Sequence, residues 1–195
     1  MRHASLILFL LCSAAAADPP EMPPSGPIDT EMSRMTVEVG TAGLFSAFGH
    51  EHMVRAPIRE GRISTEPASV DLVVDARRMQ VADPDVSEKD RAEIQRDMHT
   101  KVLESESFPE IRFRSTKVER RGDSWNVTGE MALHGQTHPV TVTVKQKGNG
   151  YVGEAKFKQS EFGIKPVSAG GGTVKVKDEL KIGFEIQVRA PASSK

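Results

Sequence analysis

The chain has one cysteine, one tryptophan and one tyrosine among its 195 residues. A lone cysteine leaves no intramolecular disulfide and no thiolate cluster for a metal, so stability must come from an ordinary core. Aromatic residues make up only 5%, and stacking platforms for bases or sugars would rest almost wholly on eight phenylalanines, which disfavours single-strand or carbohydrate binding. A basic surplus is missing too. Lys plus Arg number 26 against 27 Asp plus Glu, leaving nothing to neutralise a run of phosphates, and nucleic acid is excluded as a partner. The sequence also lacks a Gly-x-Ser-x-Gly elbow, a His-Glu-x-x-His zinc helix and a P-loop. No nucleophile pairs with a base, so a non-enzymatic protein is expected.

Long apolar runs are scarce. The one at Leu6 to Leu11 follows Met1-Arg2-His3 and precedes the small residues Ala14 to Ala17. It is far shorter than the roughly 20 residues of a membrane span, and reads as a secretory signal peptide over residues 1–17, cleaved before Asp18. Export of this kind predicts a periplasmic protein. Cleavage removes Cys12, whose bulky neighbours Leu10 and Leu11 do not suit lipoprotein processing. Residues 18–32 contain Pro19, Pro20, Pro23, Pro24 and Pro27 and few apolar side chains, the composition of an extended, exposed leader.

From about Ser33 the pattern is alternation, which places every second side chain on one face of a strand. Leu180, Ile182, Phe184, Ile186 and Val188 form the clearest set, followed by Val140, Val142 and Val144, by Trp125, Val127, Gly129, Met131 and Leu133, and by Val70, Leu72 and Val74. Turn signals at Arg121-Gly122-Asp123, Gly135, Gly148-Asn149-Gly150 and Gly170-Gly171-Gly172 separate them. One stretch differs. Ser87 to Leu103 starts with an N-cap residue, carries Glu88 and Asp90 in its first turn, and spaces Ile94, Met98 and Val102 at i, i+4, i+8, which predicts a helix with one apolar stripe. The expectation is an all-β, mainly antiparallel fold of about eight strands with one inserted α-helix. Periodicity leaves open a stacked sandwich or a closed barrel able to hold one small ligand.

Polar clusters are few. His50 and His52 fall on one side of an extended chain and, with Met53 nearby, suit copper or zinc, although spacing supplies no third strong ligand. Arg96 and His99 share a face of the predicted helix. His134 and His138 flank Gly135 and read as turn and strand-end residues.

Several stretches carry a resemblance. Gly129-Glu130-Met131-Ala132-Leu133-His134-Gly135-Gln136-Thr137-His138-Pro139-Val140 is similar to the strand–turn–strand signature of the YceI-like, polyisoprenoid-binding family. Arg96-Asp97-Met98-His99, followed by Phe108-Pro109-Glu110-Ile111-Arg112-Phe113-Arg114-Ser115-Thr116, resembles that family's central helix and next strand. Ser160-Glu161-Phe162-Gly163-Ile164 and Val176-Lys177-Asp178-Glu179-Leu180 resemble its late strands. The likeness runs in order from about Arg34 to Ala190, while the glycine-rich segment before Val174 and the His50-Glu51-His52 cluster resemble features of a subgroup.

What the resemblance implies is a lipocalin-like extended β-barrel over residues 33–190, with a short tail at 191–195, and a tunnel holding an isoprenoid such as a quinone or polyprenyl phosphate. No other cofactor is implied. The tail-lining candidates are Phe113, Trp125, Val140, Val142, Val144, Leu180, Ile182, Phe184 and Ile186, and the headgroup candidates are His50, His52, Arg96 and His99. The alternative is periplasmic metal handling through His50, His52 and Met53. A further competitor is a packed barrel acting through protein contacts. Transient contact with a membrane or with respiratory proteins, and a homodimer, are compatible with the carrier reading.

Overall fold

The computed structural model describes residues 23–42, 52–169 and 174–189. Its strands are β1 (Gly26–Ala42), β2 (His52–Arg55), β3 (Ile58–Thr65), β4 (Ala68–Asp75), β5 (Gln80–Val81), β6 (Glu110–Arg121), β7 (Ser124–Leu133), β8 (Gln136–Lys147), β9 (Gly150–Lys158), β10 (Ser168–Ala169) and β11 (Val174–Val188), with one helix, α1 (Glu88–Asp97). All pairings are antiparallel, and β1 returns to pair with β11, so the sheet closes. Closure decides for the barrel over the sandwich. β2 and β3 follow one another along β1 as a single stave, and β5 and β10 are two-residue additions, which leaves the eight staves expected from the sequence.

Register explains why the alternating sets point inward together. Val144 faces Trp125 and Gly153, Val142 faces Val127 and Ala155, Ile182 faces Val37 and Ala155, and Phe184 faces Met35 and Gly153. Because side chains alternate along every strand, one such apolar pair commits the whole stave to the interior. Tight turns hold this register. His134 and Gly135 both have positive φ, 50° and 73°, the two-residue hairpin geometry that suits right-twisted strands, so His134 is a turn residue as its spacing suggested.

β1 begins at Gly26, inside the stretch expected to be an exposed proline leader. Ile28 is buried, and the carbonyl of buried Pro24 accepts a 2.7 Å hydrogen bond from the Tyr151 hydroxyl. The prolines masked this: Pro27 lacks a donor but pairs at the strand's end, where a missing N–H costs little. Residues 1–17, where a signal peptide is expected, the leader up to Met22, the glycines 170–172 and the tail at 191–195 lie outside the described residues.

The helix starts as its sequence signals. The Ser87 hydroxyl accepts from the Asp90 N–H at 3.2 Å, satisfying one of the first-turn donors. It is shorter than the span predicted, because after Asp97 the chain opens into a π-turn over Met98–Val102. The helix and this turn lie at the end of the barrel that also carries the β7–β8 hairpin, and the β3–β4, β6–β7 and β8–β9 hairpins lie at the other.

Candidate functional site

Two chambers occupy the barrel end to end. The lower, about 270 Å³, reaches the β3–β4 hairpin end; the upper, about 460 Å³, lies under the helix. Ile182 lines the lower chamber, and Leu180, two residues along the same face of β11, lines the upper.

The lower chamber receives Phe113 from β6, Trp125 from β7, and Val140, Val142 and Val144 from β8. Ile182, Phe184 and Ile186 come from β11. Eight of the nine tail-lining candidates therefore share one chamber, and Leu180 is the ninth, in the other. Among the described residues no charged side chain lines the lower chamber; of the polar residues at its hairpin end, Ser64, Thr65 and Ser69, only Thr65 shares the inward face with Ile63, and the aromatic heads of Trp125 and Tyr151 are the other polar groups. The Tyr151 hydroxyl is already spent on Pro24, and burial pushes its phenol above the usual tyrosine range.

Two glycines give this chamber its shape. A Cβ on Gly153 would meet the Thr143 carbonyl oxygen and approach the Phe184 ring to 2.6 Å, and one on Gly129 would approach the Phe113 ring to 2.5 Å. The Phe184 ring thus lies over the bare backbone of Gly153 directly opposite it, and the Phe113 ring over Gly129 diagonally across β6 and β7, close approaches only glycine permits.

The upper chamber is roofed by the apolar stripe Ile94, Met98 and Val102. Its remaining wall includes Leu180, His52 and three carboxylate side chains, Asp90, Glu93 and Asp97. Asp97 lies 2.8 Å from Lys101, whose ammonium holds its carboxyl below the usual aspartate range. His52 Nδ1 is 2.6 Å from Asp83 Oδ2, and the other oxygen of that buried carboxylate accepts from the Met53 N–H. This bond orients the ring and occupies one nitrogen, the logic by which a carboxylate fixes a histidine tautomer.

The headgroup candidates separate here. His52 lines the upper chamber, and His50 lies outside the described residues. Arg96 and His99 line neither chamber: Arg96 is exposed near Glu93 and Asp97 at 3.9 and 3.5 Å, and His99 hydrogen-bonds Ser105 Oγ at 3.0 Å and the Met79 carbonyl at 3.2 Å. His99 fastens the helix to the barrel. For the metal alternative, Met53 follows His52 on a strand and points to the opposite face, where it is exposed, so these two do not converge on one ion. Among the described residues no three His, Cys, Asp or Glu side chains gather as metal ligands.

Sequence reading missed Met35 and Val37, whose alternation in β1 was visible, and Asp83, which carries no local signal. Gly129 and Gly153 were legible only once their cross-strand partners were known.

A family model described as the YceI-like domain matches residues 27–188. The YceI proteins of Shigella flexneri and Salmonella paratyphi B are 33% and 34% identical over segments covering 36% of this chain and 44% of the relative. The match therefore spans less than half the length of these curated relatives. Among solved structures, BcnA of Burkholderia cenocepacia superposes with a TM-score of 0.56 at 20% identity, covering 82% of this chain and 98% of that one. The YceI protein of Campylobacter jejuni gives 0.51 at 14%, covering 71% and 82%. At such identities the shared feature is the fold.

Proposed function

The chain belongs to the YceI-like family, and from that premise we propose that it is a non-enzymatic carrier or buffer for an isoprenoid lipid, working in the periplasm. The observation that carries this reading is the lower chamber, closed around by β-strands and lined without a single charged side chain among the described residues. Such a space offers few polar partners and no charge to a polar metabolite. It suits a branched hydrocarbon tail, for which burial is worth about 0.8 kcal/mol per CH₂ before ordering costs. A five-carbon isoprene unit thus contributes roughly 4 kcal/mol gross, enough for two or three units to hold a ligand without a strong headgroup contact. The N-terminal signal-peptide pattern supports export.

The test is mass spectrometry of protein purified from a periplasmic extract without detergent, comparing native and denatured masses. An organic-soluble isoprenoid released on denaturation is expected. Val142→Asp and Phe184→Asp each place an unpaired carboxylate in the chamber, so each should purify without it while circular dichroism reports a folded barrel. A folded Val142→Asp protein that kept its lipid would remove the chamber from the binding site. Equal native and denatured masses for the wild type would remove the carrier reading, and an excess of one metal ion would return the argument to His52.

A further inference from the structure

We infer that the two chambers select an uncharged isoprenoid, an alcohol or a quinone, over the phosphate or diphosphate of the same tail. The inference rests on the carrier reading and decides between the ligand classes that reading leaves open. Its ground is the absence of a cation from the walls. Among the described residues, neither chamber is lined by a lysine or an arginine.

A phosphate drawn inside the walls of either partly open chamber gives up hydration without the paired, hydrogen-bonded cation that would compensate it. Neither end helps it. At the lower end only the Thr65 hydroxyl shares the inward face with Ile63, while Ser64 and Ser69 pair one residue away on the opposite face; an uncharged hydroxyl can pair with a neutral hydroxyl or carbonyl but supplies no cation. At the upper end a phosphate would face Asp90, Glu93 and Asp97. Lys101 and Arg96 do not line the chamber and are engaged with Asp97 at 2.8 and 3.5 Å. His52 Nδ1 is held 2.6 Å from the Asp83 carboxylate and is thereby engaged within the protein. A neutral head meets none of these penalties.

The chain carries its own reporter. Trp125 is its only tryptophan and lines the lower chamber, so a tail entering there changes the intrinsic fluorescence. Delipidated full-length protein is titrated, below micelle formation, with farnesol and with farnesyl phosphate, which share a tail and differ in the head. Farnesol is expected to shift the Trp125 emission saturably, with farnesyl phosphate weaker by about tenfold or more. Equal or tighter binding of the phosphate overturns the selection while leaving the carrier reading intact. Binding of neither probe overturns the carrier reading itself. Glu93→Lys, which puts a cation on the upper wall, should narrow the difference between the probes; a gap unchanged in a variant that still binds farnesol would exclude the upper chamber as the source of the selection.

Discussion

At the scale of single residues, shape is set by what is missing as much as by what is present. Gly153 is an inward-facing position with no side chain, and the Phe184 ring fills the space. Gly153→Ala should destabilise the barrel by about 1–3 kcal/mol, because its Cβ meets backbone that cannot swing aside; a urea midpoint equal to the wild type would show that the ring and strand yield freely. Asp75 supplies a charge-based example. Its carboxylate accepts from the Arg77 guanidinium at 3.2 and 3.3 Å and from the Arg77 N–H at 3.1 Å, and the guanidinium holds its carboxyl below the usual aspartate range. A carboxyl lowered on folding stabilises above its unfolded value of about 3.9 and loses that contribution as pH falls through the folded value. Asp75→Asn keeps the amide acceptor and removes the charge, so its deficit against the wild type should be constant near neutrality and shrink below about pH 4. A deficit independent of pH in thermal melts would assign the effect to geometry alone.

At the scale of elements, the helix is a roof whose apolar stripe was readable and whose attachment was not. Gln95 makes that attachment: its Oε1 accepts from the Val81 N–H and its Nε2 donates to the Met79 carbonyl, both at 2.7 Å. Side-chain bonds to backbone groups of another segment stand in for the packing that a helix with no buried residue of its own does not supply. Gln95→Ala should cost about 1–3 kcal/mol by leaving those groups unpaired. The larger sign should be local, with faster amide exchange at Val81 and through α1 while the barrel strands keep their protection. Uniform exchange across the molecule would show that roof and barrel open as one unit.

At the scale of the whole molecule, the barrel carries two partly open chambers where a close-packed domain would hold side chains, and those unfilled walls forgo contacts. A ligand that fills them stabilises the folded state by mass action. Extraction of bound lipid should therefore lower Tm, and saturating farnesol should restore it in proportion to the logarithm of its concentration. A Tm indifferent to extraction would mean that the chambers stay empty in the purified protein.

By itself, the sequence determined what depends on near neighbours. The period-two sets in β7, β8 and β11, the Ser87 cap, the stripe of Ile94, Met98 and Val102, and the turn at His134-Gly135 follow from geometry repeated within a few residues, and the family resemblance is carried by such stretches in order. Tertiary structure decided what depends on partners far along the chain. The pairing of β1 with β11 made a barrel of a sheet, and cross-strand register set Gly153 opposite Phe184 and Gly129 diagonally beside Phe113. Contacts between distant segments turned His99 into a fastener and gave His52 a buried partner in Asp83. The physical reason is that alternation names the face a side chain takes on its own strand, whereas closure and register are products of long-range hydrogen bonding that name what that face looks upon.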